Sequence, residues 1–239
     1  MSSSSPKLGL QRGTFARVFV FATLALIAII YLTPLIWMLS TSLKTPGDAA
    51  RATLSLLPAE GDIVSNARSN FSQVWNDPTV RFPLYLRNTL IVAGLSVIGM
   101  TLSSAIVAYG FARLEWRGKK PLFAVVLATM MIPFPVVMGP MFLLFSWLGW
   151  IGSLKPLWVP AFFAHAFNVF MLRQFFLGIP RELDEAARID GCSNWGIFWR
   201  IIVPLSKPAL AVVALFHFVF VWNDFLAPLI FLRNQDQFT

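Results

Sequence analysis

Four of the chain's eleven carboxylates, Glu182, Asp184, Glu185 and Asp190, fall within nine consecutive residues, with Arg188 among them and Arg181 immediately before. They lie in Ile179–Pro204, IPRELDEAARIDGCSNWGIFWRIIVP, a polar stretch between two strongly apolar ones. No histidine, nucleophile elbow or metal-spaced ligand accompanies them, so the chemistry they suit is contact rather than catalysis. Pro180 fits the first turn of a short helix, where its missing N–H costs nothing. Glu182, Asp184 and Glu185 then sit near the positive end of the helix dipole and Arg188 near the negative end. Leu183, Ala186 and Ala187 share one face at i, i+3, i+4 spacing. Gly191 stands where a helix stops on a residue tolerant of positive φ. A second short helix is expected from Ser193 or Asn194 to about Val203, interrupted at Pro204. Residues 179–204 therefore form a helix–turn–helix elbow whose small-residue face suits docking into a cleft on another protein.

Other chemistry is sparse. The chain contains no G-x-x-x-x-G-K-[ST] loop for hydrolysing ATP, no G-x-S-x-G elbow and no H-E-x-x-H helix. No His/Cys cluster has metal spacing, and no cofactor is expected. Cys192 is the single cysteine, so no internal disulfide forms. His165 and His217 stand far apart in sequence and read as packing residues. Polar groups inside apolar spans are costly in hydrocarbon and face protein or water. Asn168, Asn223 and Asp224 are the candidates, and for the latter two a pathway wall and a hydrated outer interface both remain open. Pro133 and Pro135, with Gly139 and Pro140, interrupt a third candidate, where a broken helix beside a pathway and a structural kink are equally compatible.

The elements that must carry these groups are membrane spans. Of 239 residues 57% are hydrophobic and 13% charged, with mean hydropathy +0.69, which excludes a soluble domain. The net charge of +8 gathers beside apolar runs, as the positive-inside rule requires, and not in a footprint for nucleic acid. Residues 1–17 form a basic, Ser-rich cytoplasmic N-terminus, and residues 18–239 the transmembrane domain. Span one, Val18 to about Leu39, is too long for a cleaved signal peptide. A connection of mixed sign follows, from Thr41 to Arg87, with a short interfacial helix at Phe71–Trp75. Span two covers about Asn88 to Phe111, with Gly94, Gly99, Ser103, Ser104, Ala105 and Ala108 to admit close packing. It ends in the basic turn Arg113–Lys120. Span three begins at Pro121, span four runs from about Leu157 to Leu177, and span five from Lys207 to about Leu232. The N-terminus, the basic turn and the elbow fall on the inner side, leaving Thr239 outside.

Glu185-Ala186-Ala187, Gly191, Ile201 and Pro204 at this spacing resemble the EAA loop of membrane subunits of bacterial binding-protein-dependent ABC importers. AYGFARLEWRGKKPLF and VWNDFLAPL are similar to stretches of carbohydrate-importer permeases. The resemblance is closest to the maltose-transporter-like class, and there to the smaller, second permease. It covers Asn88 to Leu232 best. It implies an all-α polytopic protein of the type I permease fold, in the plasma (inner) membrane. Five spans are counted here, and the family's sixth would follow Thr239. It further implies a coupling helix in which Glu185, Ala186, Ala187, Asp190, Gly191, Ile201 and Pro204 serve the contact with a cytoplasmic ATPase. The implied partners are a second permease, two ATPase subunits, an external solute-binding protein, a sugar and membrane lipid. Permeases for amino acids, peptides or glycerol phosphate share the elbow. An ion-gradient transporter would carry more ionisable residues in its spans and an internal repeat, and a scaffold would show no solute dependence.

Overall fold

The computed structural model describes residues 8–51 and 55–239, and every element among them is helical. The chain divides into two compact units, residues 1–82 and 83–239.

The first unit is one long helix and a hydrogen-bonded cap. Helix α1, Leu8–Ser42, is free of charge from Val18 to Leu39. Its helical geometry already runs through residues 8–17, and residues 1–7 of the expected N-terminal segment lie outside the described residues. A helix leaves its last carbonyls without partners. Here Asn70 satisfies the exit of α1, its Nδ2 donating to the Ser42 and Lys44 carbonyls at 2.9 and 2.8 Å. Asn70 lies on α3, Ile63–Asn76, which starts on Asp62 as its N-cap and is longer than the expected Phe71–Trp75 segment. Between them α2, Pro46–Ala50, caps on Thr45 and buries Asp48, whose carboxylate accepts from the Ala59 amide at 2.7 Å. Lys44 is buried as well, its ammonium 5.0 Å from the Trp37 ring centre and bonded to the Ser55 carbonyl.

The second unit is built on α4, Phe82–Arg113, which starts six residues before the expected Asn88. Chain order continues with α5 Lys119–Thr129, α6 Phe134–Trp147, α7 Lys155–Trp158, a 3₁₀ turn Val159–Phe163 and α8 Ala166–Leu177. The elbow follows as α9 Glu182–Ile189, α10 Asn194–Ile197, a π turn Phe198–Ile202 and α11 Val203–Leu205. Helices α12 Lys207–Trp222 and α13 Leu226–Phe231 complete the order, before a 3₁₀ turn at Gln235–Gln237.

Among the described residues two helices, Ala16–Ser42 and Phe82–Arg113, are long and apolar enough to cross a bilayer alone. Three bent pairs raise the possible number to five, with bends of 97°, 77° and 78°. The first pair, α5 and α6, breaks at Met130–Pro133 because Pro133 has no N–H to continue the ladder. Gly139 and Pro140 do not break it; α6 runs through both. The fourth expected span is also discontinuous: Ala164 lies at φ 62°, ψ 169°, between the 3₁₀ turn and α8.

Small residues on α4 explain how the unit closes. Ala105 and Ala108 are buried to 2% and 0%, and a Cβ on Gly99 would stand 2.4 Å from the Phe162 ring. Gly94, by contrast, is exposed and faces nothing within 4 Å, so it takes no part in this packing. Ser96 and Ser103, seven residues apart on one face, answer the polar groups freed where the fourth span unwinds. Ser96 donates to the Leu157 carbonyl at 3.2 Å and Ser103 to the Ala161 carbonyl at 3.1 Å, while Ser103 Oγ accepts from the Ala164 amide at 3.0 Å. Without such partners, irregular backbone at membrane depth would cost several kcal/mol per group.

The core lies towards the elbow end of the unit. Leu172, Phe176, Ile197, Ile202 and Val213 are each fully buried, with Phe198 and Val169 at 1%. These residues come from α8, the second arm of the elbow and α12, packed on the Ala105–Ala112 stretch of α4. The elbow is thus a core element as well as a surface one.

Candidate functional site

Helix α9 begins at Glu182, one residue after Arg181, so Pro180 lies just ahead of the first turn and not in it. Its stop follows the sequence closely. Gly191 takes φ 81°, its amide bonds the Arg188 carbonyl at 3.0 Å, and the Cys192 amide bonds the Ala187 carbonyl at 2.9 Å. This is a Schellman closure, with Asp190 as the C-cap. Ser193 then caps the second arm, its Oγ accepting from the Gly196 amide at 3.1 Å. The arm does not end at Val203 as expected. A π turn over Phe198–Ile202 lets the helix pass Pro204 and continue to Leu205 before the 78° bend. The wider turn accommodates a residue that cannot donate.

The expected face of α9 is split between the surface and the interior. Asp184 and Ala187, three apart, are the buried pair, while Leu183, Glu185 and Ala186 face outward with Ile189, which is 87% exposed. Leu183 and Ala186 thus stand on an open surface with Glu185, while Ala187, grouped with them in the sequence, turns inward beside Asp184, which does the anchoring. Ile201 is half-buried against the core and Pro204 is exposed.

What holds α9 was not read from the sequence. Arg113, at the last turn of α4, is 4% exposed, as is Asp184. The guanidinium Nε stands 3.6 Å from Asp184 Oδ2, and an Arg113 terminal nitrogen donates to the Ile179 carbonyl at 2.8 Å. One turn earlier, Tyr109 donates to the Asn194 carbonyl at 2.9 Å. At the exposed rim, Arg181 meets Glu115 at 3.4 Å and Lys119 meets it at 3.5 Å. The Lys119 ammonium first of all, with hydrogen bonds from Lys119 and Arg181, holds the Glu115 carboxyl below its usual range. The available signal was a lone arginine closing span two and an acid on each flank of Leu183. Neither names its partner without the fold.

A cavity of about 630 Å³ opens at the other end of the same unit. Its walls come from α4, the α5–α6 break, the 3₁₀ turn, α12 and α13, and they are mostly apolar. Three ionisable side chains reach it: His165, His217 and Asp224. The two histidines, read separately as packing residues, are brought to one space. Among the described residues, His217 Nε2 is buried without a hydrogen-bond partner, and the Asp224 carboxylate accepts from the Ala227 amide at 3.2 Å, capping α13. The other pathway candidates divide. Asn168 is buried on α8 outside the cavity lining. Asn223 is exposed, its Nδ2 donating to the Val219 carbonyl at 2.7 Å. Pro133 and Pro135 frame the break, but their neighbours Ile132 and Phe134 line the cavity. Among the described residues, no three His, Cys, Asp or Glu side chains are grouped to hold a metal ion.

Comparison with known proteins places this architecture. The family described as binding-protein-dependent transport system inner membrane component matches residues 100–238. The arabinooligosaccharides transport system permease protein AraQ of Bacillus subtilis (strain 168) is 33% identical over 241 residues, covering 100% of this chain and 82% of that protein. The trehalose/maltose transport system permease protein MalG of Thermococcus litoralis is 32% identical, covering 92% and 77%. A crystal structure of a bacterial ABC transporter involved in the import of the acidic polysaccharide alginate superposes with a TM-score of 0.81. It covers 99% of this chain and 79% of that one at 24% identity, a likeness of fold. The class is a helical membrane component of a transport system, not an enzyme. The chain belongs to the binding-protein-dependent transport system inner membrane component family.

Proposed function

We propose that the chain is the second permease of an ATP-driven carbohydrate importer, forming half of the translocation pathway and receiving the power stroke through its elbow. The observation that carries the reading is the two-sided build of α9. Asp184 and Ala187 are sunk into the unit, and Leu183, Glu185, Ala186 and Ile189 are left as an unpartnered outer face. An amphipathic helix fixed on one side and open on the other suits a groove in a cytoplasmic ATPase. Glu185 supplies polar contacts there, Ala186 admits close approach, and Ala187, Asp190, Gly191, Ile201 and Pro204 fix the elbow behind it. The N-terminus and elbow lie in the cytoplasm, with a second permease alongside and a solute-binding protein on the outer side. Relatives named for arabinooligosaccharide, diacetylchitobiose, trehalose/maltose and lactose transport support a sugar as cargo.

The cavity forms part of the pathway wall in this reading. Asp224 and the two histidines give an apolar space a few convergent polar groups, the usual composition of a small-molecule site. Asn168, Asn223, Pro133 and Pro135 border that region without forming its lining. Purification of the tagged chain in mild detergent from its native host tests the reading. A second permease and an ATPase are expected to accompany it, and Glu185→Lys to reduce ATPase recovery and uptake together. Unchanged recovery and uptake with both Glu185→Lys and Gly191→Pro would show that the elbow does not couple.

A further inference from the structure

The two ends of the second unit are joined by one helix, and the residues that make the joints are polar, with Tyr109, Arg113 and Asp184 buried. At the elbow end, α4 holds the first arm through Arg113, which reaches both Asp184 and the Ile179 carbonyl, and the second arm through Tyr109 on the Asn194 carbonyl. Tyr109 and Arg113 are four residues apart and share a face. Nearer the cavity, Ser103 of the same helix holds the unwound Ala161–Ala164 segment that precedes His165. From Ser103 to Arg113 is about 15 Å of α-helix.

We infer that α4 is the transmission rod of the permease and that Arg113 and Asp184 are its positioning residues, locking the elbow to the rod so that both turn together. The inference rests on the coupling role proposed above and specifies how the motion leaves the elbow. Three features argue for a lock over an incidental contact. Both charges are almost fully buried, so the elbow cannot lift from α4 without exposing an ion or leaving one unpaired inside. Arginine's fork lets one guanidinium hold the exit of α8 and the anchor of α9 at once, which an ammonium would not reproduce. The pair is also separate from the outer face: Asp184 points into the unit while Glu185 and Ile189 point away. Its loss should therefore uncouple the elbow without removing the surface that meets the ATPase.

The test uses the assembled transporter, with partner subunits stripped of reactive cysteines. Spin labels on the native Cys192 of the elbow and on Ile98→Cys, an exposed site of α4 about 22 Å from Arg113 along the helix, report the elbow–rod distance. The expected result is one narrow distribution, unchanged between nucleotide-free and ATP-bound complexes. Arg113→Met and Asp184→Asn should each broaden it and lower uptake at least tenfold. ATPase recovery should stay within twofold, so that sugar moved per ATP hydrolysed falls, and Arg113→Lys should lie between. A distance that shifts with ATP in the native sequence would overturn the inference, since the elbow would then hinge on α4. So would variants with native distance and native uptake per ATP. If no ATPase accompanies the native chain, the coupling reading fails on its own, and the distance in the chain alone still shows whether the lock exists.

Discussion

Ala164 occupies a backbone region that is nearly exclusive to glycine, φ 62° with ψ 169°. The structure provides the means of holding it there: Ser103 accepts from its amide and donates to the Ala161 carbonyl, at 3.0 and 3.1 Å. Such a conformation costs about 1–3 kcal/mol for a residue with a Cβ. Replacing Ala164 by glycine removes that cost and adds back about 0.5–1 kcal/mol of backbone entropy, leaving a net gain of about 0.5–2 kcal/mol. For a domain of this size, 1 kcal/mol moves the midpoint by about 2–4 °C, so Ala164→Gly should raise Tm by about 1–8 °C. Tryptophan fluorescence during heating in detergent, at one fixed scan rate because membrane proteins unfold irreversibly, reads the shift. Ser103→Ala should lower stability by about 1–3 kcal/mol, because it leaves the Ala164 amide unpaired. The two changes should not add, because they act on one segment. If Ala164→Gly lowers Tm by the ordinary glycine penalty, the residue is not strained and the argument for a deliberately held break in span four fails.

Gly99→Val should displace the Phe162 ring and its edge-on contact with Trp158, centroids 5.8 Å apart. The expected cost is about 1–3 kcal/mol, measured by the same melt and relieved when Phe162→Ala is added. Gly191→Ala should cost about 1 kcal/mol through φ alone, as nothing stands within 4 Å of the new Cβ; Gly191→Asn should cost less, and comparing the two melts tests it. For Glu115 the sign follows from its lowered pKa: a carboxyl that releases its proton more readily when folded stabilises above the unfolded value of about 4.3. That contribution is lost as pH falls through the lower folded value. Melting midpoints from neutral pH into this acid range should therefore drop more for the native chain than for Glu115→Gln, and the difference should shrink in high salt.

The parts legible in the sequence were those governed by local rules. Gly191 at positive φ, Ser193 as an N-cap and the break at Pro133 each depend on a handful of neighbours. Discontinuity at Ala164 was invisible because alanine carries no turn signal; what permits it is a serine 61 residues away. Pro204 was read as a stop because a normal α turn would make it one, and the π turn that carries the helix past it leaves no pattern in residue types. Burial of Asp184 was invisible for the reverse reason: hydropathy places a carboxylate outside, and only the distant Arg113 makes its burial favourable. The cavity, likewise, required two histidines 52 positions apart to meet.

Phe198–Ile202 contains the equivalent of one extra residue in a single winding of helix. Each residue of an ordinary helix turns the chain by about 100°. A one-codon deletion within these five positions would therefore restore regular winding and leave everything downstream, α12 with His217 included, on nearly its present bearing. The same deletion in the regular winding of α10 would swing those residues by roughly a quarter of a revolution relative to the first arm. The wide turn thus absorbs a change of length that its neighbour would convert into a change of angle.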